Sequence, residues 1–313
     1  MATSMQPGRA RANGRLGPGP QAARATSARI WILTDRRYLG QRMPLALLRW
    51  LNRGGWSATL AIADEGSLVT RVAPAGRPLR ASVWSALQPG DVVVARTRHP
   101  FALALLREAE VLGARTCERW ATVVAVRDKA SSTLALARAG VPVPPTYLAS
   151  RPEDLAGLPA RAFPLLLKPP KGDNAQGLVL VARPEELEGQ DWQHGLILAQ
   201  PYLDASGVDL KLYVAGQEVW AVRRPSPLSS PNGTPVPALV TPALRKLAMT
   251  CGHVLGLRLF GVDVVESSAG LFVVDVNEFP NYTGIEAAPA AIGRLVLSEA
   301  AVTAAPSNGG SRR

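Results

Sequence analysis

Two rhythms of apolar positions alternate along the first third of this chain. Ile30–Thr34 is a short apolar run that reads as a buried strand. Pro44–Asn52 carries its apolar residues at helical spacing and stops before Gly54-Gly55; Ala58–Ala63 returns to strand. Asp91–Ala95, directly after Pro89-Gly90, predicts a third strand, and Pro100–Leu112 a helix closed by Gly113. Strand alternating with helix predicts a small parallel sheet through about residue 120.

The pattern then changes. Asp128–Ala139 is helical and ends at Gly140, and Val141-Pro142-Val143-Pro144-Pro145 forces an extended segment. Strands are predicted at Phe163–Lys168, Gly177–Val181, Leu196–Gln200 and Leu210–Ala215, then at Glu218–Arg223 after a Gly216-Gln217 turn. Thr241-Pro242 is a helix start, cap then proline. Leu244, Leu247, Ala248, Cys251, Val254 and Leu255 then mark one apolar helix face. Two last strands, Gly261–Val265 and Leu271–Asn277, enclose residues 266–270 as a hairpin. The fold class is therefore α/β with an α+β second half. The expected boundaries are a basic tail (1–29), a parallel α/β domain (30–120), a middle subdomain (121–200), a C-terminal subdomain (201–300) and a frayed end (301–313).

Chemistry concentrates in that last hairpin. Side chains alternate along a strand, so Asp275 and Asn277 share a face. A five-residue loop pairs 265 with 271 and 263 with 273, which puts Asp263 on the same face, diagonal to Asp275 at roughly 7–8 Å. Any odd-length loop keeps this parity; an even one sends Asp263 to the other side. Two carboxylates and an amide oxygen among valines suit magnesium, which takes few protein oxygens and completes its shell with phosphate and water. Cys251-Gly252-His253 is no metal motif, because Cys251 falls on the buried helix face.

Cations stand where phosphates would need them. Lys168 ends a strand before a loop running from Gly172 to Gly177, an arrangement that sets an ammonium and loop N–H groups on a phosphate. Lys129 opens the preceding helix as a second contact. Gln200-Pro201-Tyr202-Leu203 follows a strand; the Pro201 carbonyl and the Leu203 N–H can read an adenine edge without side chains. Asp209 and Lys211 alternate onto one face of the next strand, and at most one of Arg223 and Arg224 can join them.

In this order the stretches resemble the ATP-grasp superfamily, and within it the RimK-like glutamate ligases, from about residue 30 to 295. The matching pieces are Arg127-Asp128-Lys129, residues 139–146, Lys168-Pro169, Gln200 to Leu203, Gly207-Val208-Asp209-Leu210-Lys211, Ala221-Val222-Arg223-Arg224 and Asp275-Val276-Asn277. The resemblance implies an ATP-grasp fold behind a Rossmann-like pre-ATP-grasp domain, with ATP and magnesium (or manganese) as cofactors. It implies ATP phosphate at Lys168, adenine at Pro201-Tyr202, nucleotide at Asp209, and metal at Asp263, Asp275 and Asn277; the residue reading adds Lys129 as a second phosphate contact and Gln200 and Leu203 to the adenine hinge. Catalysis falls to Arg224 and Lys211, on small-molecule or peptide acids and amines. The family generally has glutamate at Asp275, arginine at Lys211 and an acid at Pro201. A second similarity, through Arg224-Pro225-Ser226, Pro231-Asn232 and residues 277–282, is to the ATP-grasp inositol polyphosphate kinases, which leaves phosphorylation of a polyol as the alternative to amide formation.

Charge changes the picture only slightly. The formal net charge is +11, but residues 1–29 hold five arginines and no acid, and Arg312 and Arg313 end the sequence. Without these seven, 28 basic face 24 acidic side chains, a bias that suits an anionic ligand and gives no case for nucleic acid. The tail is too poor in apolar residues to order itself; its Arg/Ser content without acids also admits a transit peptide. Only Cys117 and Cys251 occur, pointing to a reducing, cytoplasmic setting, and no apolar run is long enough for a membrane span.

Overall fold

A computed structural model describes residues 28–65, 83–172, 176–203, 207–226 and 234–301. The expectations for most of the N-terminal tail, the C-terminal end, the centre of the 172–177 loop and Pro231-Asn232 lie outside these residues.

The first sheet is parallel, as the alternation predicts. It contains β1 (Ile30–Thr34), β2 (Ala58–Ile62), β3 (Val92–Arg96) and β4 (Arg115–Thr116), in the order β2-β1-β3-β4. Every residue of β1 is buried, because helices cover both faces. Around this sheet run α1 (Arg36–Leu39), α2 (Arg42–Arg53) and α3 (Pro100–Val111), followed in the chain by α4 (Trp120–Val126) and by α5 (Lys129–Arg138), whose Leu136 joins a different core. On one face α3 packs Leu105 and Leu106 against Trp31 and Leu33.

A second sheet, β5 (Tyr147–Ala149), β6 (Leu165–Lys168), β7 (Val179–Val181) and β8 (Ile197–Pro201), is antiparallel in the order β5-β8-β6-β7. The third sheet comprises β9 (Val208–Ala215), β10 (Glu218–Pro225), β11 (Val236–Ala238), β12 (Leu259–Ser267) and β13 (Gly270–Glu278), ordered β11-β10-β9-β12-β13. Helix α6 (Pro242–Leu255) covers one of its faces, burying Leu244, Ala248 and Cys251 against Leu210, Leu212 and Val262. Thr241 caps α6 through the Leu244 N–H at 3.2 Å, with Pro242 at the first helical position.

Helix α7 (Ala288–Ala301) has no counterpart in the sequence analysis, and neither does α4. Through Ala288, Ile292 and Val296, α7 joins one core with Ile30, Ile32 and Val94 of the first sheet and Leu259 of the third. Gly293, inside α7, serves close packing. A Cβ there would sit 2.2 Å from two ring carbons of Trp50 on α2. Gly293→Ala is therefore expected to destabilise by about 1–3 kcal/mol through overpacking. At an unconstrained helix site the same change stabilises by about 1 kcal/mol. Denaturant unfolding gives the sign.

The hairpin differs from expectation in its turn. Ser267 pairs with Gly270 across a two-residue turn, not a five-residue loop, and Val265 pairs with Phe272. An even turn alone would have turned Asp263 away from Asp275. A bulge between Asp263 and Val264 shifts the register by one residue, so Asp263 pairs directly with Asp275. Val273 and Val276 both enter the α6-covered core because the bulge lies between them.

Candidate active site

A cleft of about 560 Å³ lies among the three sheets. Strand parity aims the chemistry into it. On β9, Leu210, Leu212 and Val214 face α6, so Asp209 and Lys211 face the cleft. Arg224 pairs with Asp209 across β10 and shares that face; Arg223 points the other way and meets Glu266. Of the two arginines, Arg224 is the one in the cleft.

At the centre, Lys211 Nζ donates to both oxygens of Asp263 at 2.8 and 2.9 Å, and Arg224 Nη2 lies 3.5 Å from the same carboxylate. Burial pushes the Asp263 carboxyl up, but Lys211 and Arg224 outweigh it and hold it below the usual carboxylate range. Lys129 Nζ donates to Asp275 Oδ2 at 2.5 Å. The Asn277 amide nitrogen donates to Asp263 at 3.0 Å and to Asp275 at 3.4 Å. Its oxygen accepts from Arg98 Nη2 at 3.4 Å. Among the described residues no three His, Cys, Asp or Glu side chains gather as a metal cluster; this set is two carboxylates and an amide. Such hard oxygens suit magnesium. For all three to share one ion the Asn277 amide must turn over, since its nitrogen now faces the acids.

Lys168 is buried at the end of β6, donating to Gln200 Oε1 at 2.6 Å. Burial lowers its ammonium to about 8, partly countered by Asp275. Gln200 also donates to Thr146 Oγ1 at 2.9 Å, so its amide is occupied holding Lys168. Pro201, Tyr202 and Leu203 line the cleft, and the Tyr202 N–H is held by the Pro164 carbonyl at 2.7 Å. Asp209 is half-buried; burial and the neighbouring Asp263 push its carboxyl up. All twelve candidate residues therefore line one cleft.

The chain from residue 126 to residue 292 matches the RimK-like ATP-grasp domain. The chain belongs to the RimK-like ATP-grasp family. Every candidate residue lies inside that stretch. Probable alpha-L-glutamate ligases of Legionella pneumophila and Vibrio cholerae are 30% identical over 202 residues, covering 60% of this chain and 67% of theirs. An ATP-grasp RimK domain protein from Sphaerobacter thermophilus superposes with a TM-score of 0.66 at 21% identity, over 87% of this chain and 99% of that one. The ATP-grasp ligase PsnB, complexed with a minimal precursor, Mg and ADP, superposes with a TM-score of 0.66 at 15% identity, covering 87% and 98%. The fold is thus ATP-grasp, as the motif order implies.

The sequence offers Arg96-Thr97-Arg98-His99 as an anion contact, with an exposed basic loop as the alternative, and points to nothing else from the first sheet. Arg98, Arg37, Tyr38 and Gln41 form the rim of the RimK-like cleft opposite β9. The run 96–99 carried two arginines, but nothing local separated their roles. Arg96 is structural: it donates to the Phe279 carbonyl and to Gln41 Oε1, and lies 4.4 Å over the Tyr38 ring. Burial lowers it to about 10. The loop it grips has two left-handed residues, Phe279 (φ 28°) and Tyr282 (φ 50°). Such strain persists only where neighbours over-determine the backbone. Tyr282 Oη donates to the Val214 carbonyl at 2.5 Å, and Asn281 Oδ1 accepts from the Met43 N–H at 3.4 Å.

Proposed function

We propose that this protein is an ATP-dependent carboxylate–amine ligase working through an acyl phosphate. A carboxylate oxygen of the acid attacks the γ-phosphorus and ADP leaves. The amine nitrogen then attacks the acyl carbon, the C–O bond to phosphate breaks, and the nitrogen gives its proton to solvent. Lys129 and Lys168 hold the ATP phosphates, residues 200–203 the adenine, and Asp209 the nucleotide. Asp263, Asp275 and Asn277 hold magnesium (or manganese), which when bound neutralises phosphate charge. Arg224 and Lys211 face the transferred group with fixed positive charge, which assists because it is in place before the reaction.

The observation that carries this is the direct Asp263–Asp275 pair ringed by Lys129, Lys211 and Arg224 in a family-matched cleft. The substrates are small-molecule or peptide acids and amines, and two buried free thiols suit the cytoplasm. No helix among the described residues is long and apolar enough to cross a membrane. The relatives' names favour a ligase over a polyol kinase.

The products decide it. Inorganic phosphate and ADP are expected only when acid and amine are both supplied. Labelled γ-phosphate retained in a stable product would mark a kinase.

A further inference from the structure

Arg98 is held by two buried carboxylates that none of the roles above uses. Asp35, at the end of β1, accepts at one oxygen from Thr97 Oγ1 (2.6 Å), the Arg98 N–H (3.0 Å) and the His99 N–H (3.3 Å). That fixes the backbone of the loop after β3. Glu278, at the end of β13, lies 3.7 Å from Arg98 Nε and 3.3 Å from Arg127 Nε. That fixes the side chain from the opposite lobe. Asp35 is 3% and Glu278 9% exposed. Burying a carboxylate is costly, and a surface arginine needs neither. The guanidinium so placed lines the cleft with Nη2 3.4 Å from Asn277 Oδ1, beside the proposed phosphoryl-transfer centre. Its planar fork matches a carboxylate with two parallel hydrogen bonds.

We propose that Arg98 binds the carboxylate of the acid substrate next to Asn277, with Asp35 and Glu278 as its positioning residues. This rests on the ligase function and adds the subsite for the acid. Because Arg98 comes from the first sheet and Glu278 from the third, the acid is seated only when both lobes are in register, and the nucleotide does not need this arginine.

Glutarate, a dicarboxylate without an amine, is the probe. It is titrated calorimetrically into the full-length protein with magnesium and a non-hydrolysable ATP analogue. Arg98→Gln is expected to weaken glutarate binding about 10- to 100-fold, and Arg98→Lys less, since a point charge replaces the fork. Glu278→Gln is expected to weaken it about tenfold with Arg98 still present. Affinity for the ATP analogue is expected to change less than about threefold in all three, a split that general loss of structure would not produce. Should Glu278→Gln fail to fold, the two Arg98 variants carry the test. Equal glutarate affinity in wild type and Arg98→Gln, or no glutarate binding by the wild type, overturns the proposal. Failure of the ligase function shows separately, as no phosphate release with any acid and amine, and leaves the glutarate result standing.

Discussion

Asp275→Asn is expected to lose at least about a thousandfold in turnover while unfolding close to the wild type. Asp263→Asn is expected to lose activity and stability together. Both remove one candidate metal carboxylate, but their surroundings differ. Asp275 is a quarter exposed and its partner Lys129 reaches solvent, so an uncompensated ammonium there is hydrated. Lys211 is 9% exposed and has both Asp263 oxygens as acceptors. Breaking that pair leaves a buried charge, which costs about 3–5 kcal/mol. The sign with pH agrees. Asp263 is held below its ordinary value of 3.8, so its stabilisation is present above that value and lost as pH falls through the lower folded one. Phosphate release and denaturant unfolding on the two variants check this. Wild-type turnover by Asp275→Asn would sink the metal assignment.

Lys168→Met is expected to weaken ATP binding about 100-fold, because the proposed phosphate contact is a buried ammonium that would act in a low dielectric. The wild type carries a pH signature that this variant lacks. With its ammonium lowered to about 8, Lys168 is expected to lose its proton in the free protein as pH rises past 8, and ATP affinity is expected to fall with it. Stability moves the other way. The unfolded lysine titrates near 10.5, so between about 8 and 10.5 the unfolded state binds more protons and this group's contribution to stability rises with pH. Calorimetric ATP titrations and unfolding curves from pH 7 to 10 separate the two trends. An equally steep fall of affinity in Lys168→Met would assign the dependence to another group.

Much of the RimK-like module was legible in the residues because the relevant periodicities are local. Alternation put Asp275 and Asn277 on one face, and Gly54, Gly113 and Gly140, read as the stops of three helices, each lie one or two residues past the end of α2, α3 and α5. The cap and proline at Thr241-Pro242 start α6 as read. What local pattern does not contain is register. The two-residue Ser268-Ala269 turn and the bulge beside Asp263 together produce the Asp263–Asp275 pairing that a five-residue loop alone only approximated. Likewise the choice of Arg224 over Arg223 follows from the pairing of β10 with β9. Tertiary packing decided the rest. Helix α7 forms because its apolar stripe closes a core between two sheets, with Gly293 admitting Trp50. Arg98 becomes part of the cleft only when Asp35 and Glu278, distant in sequence, arrive on either side of it. Spacing along the chain determined most of the strands and helices and the shared face of Asp275 and Asn277, because those depend on near neighbours; the face Asp263 takes, the helix α7 and which charges meet depended on contacts that exist only once the strands have paired and the lobes have packed.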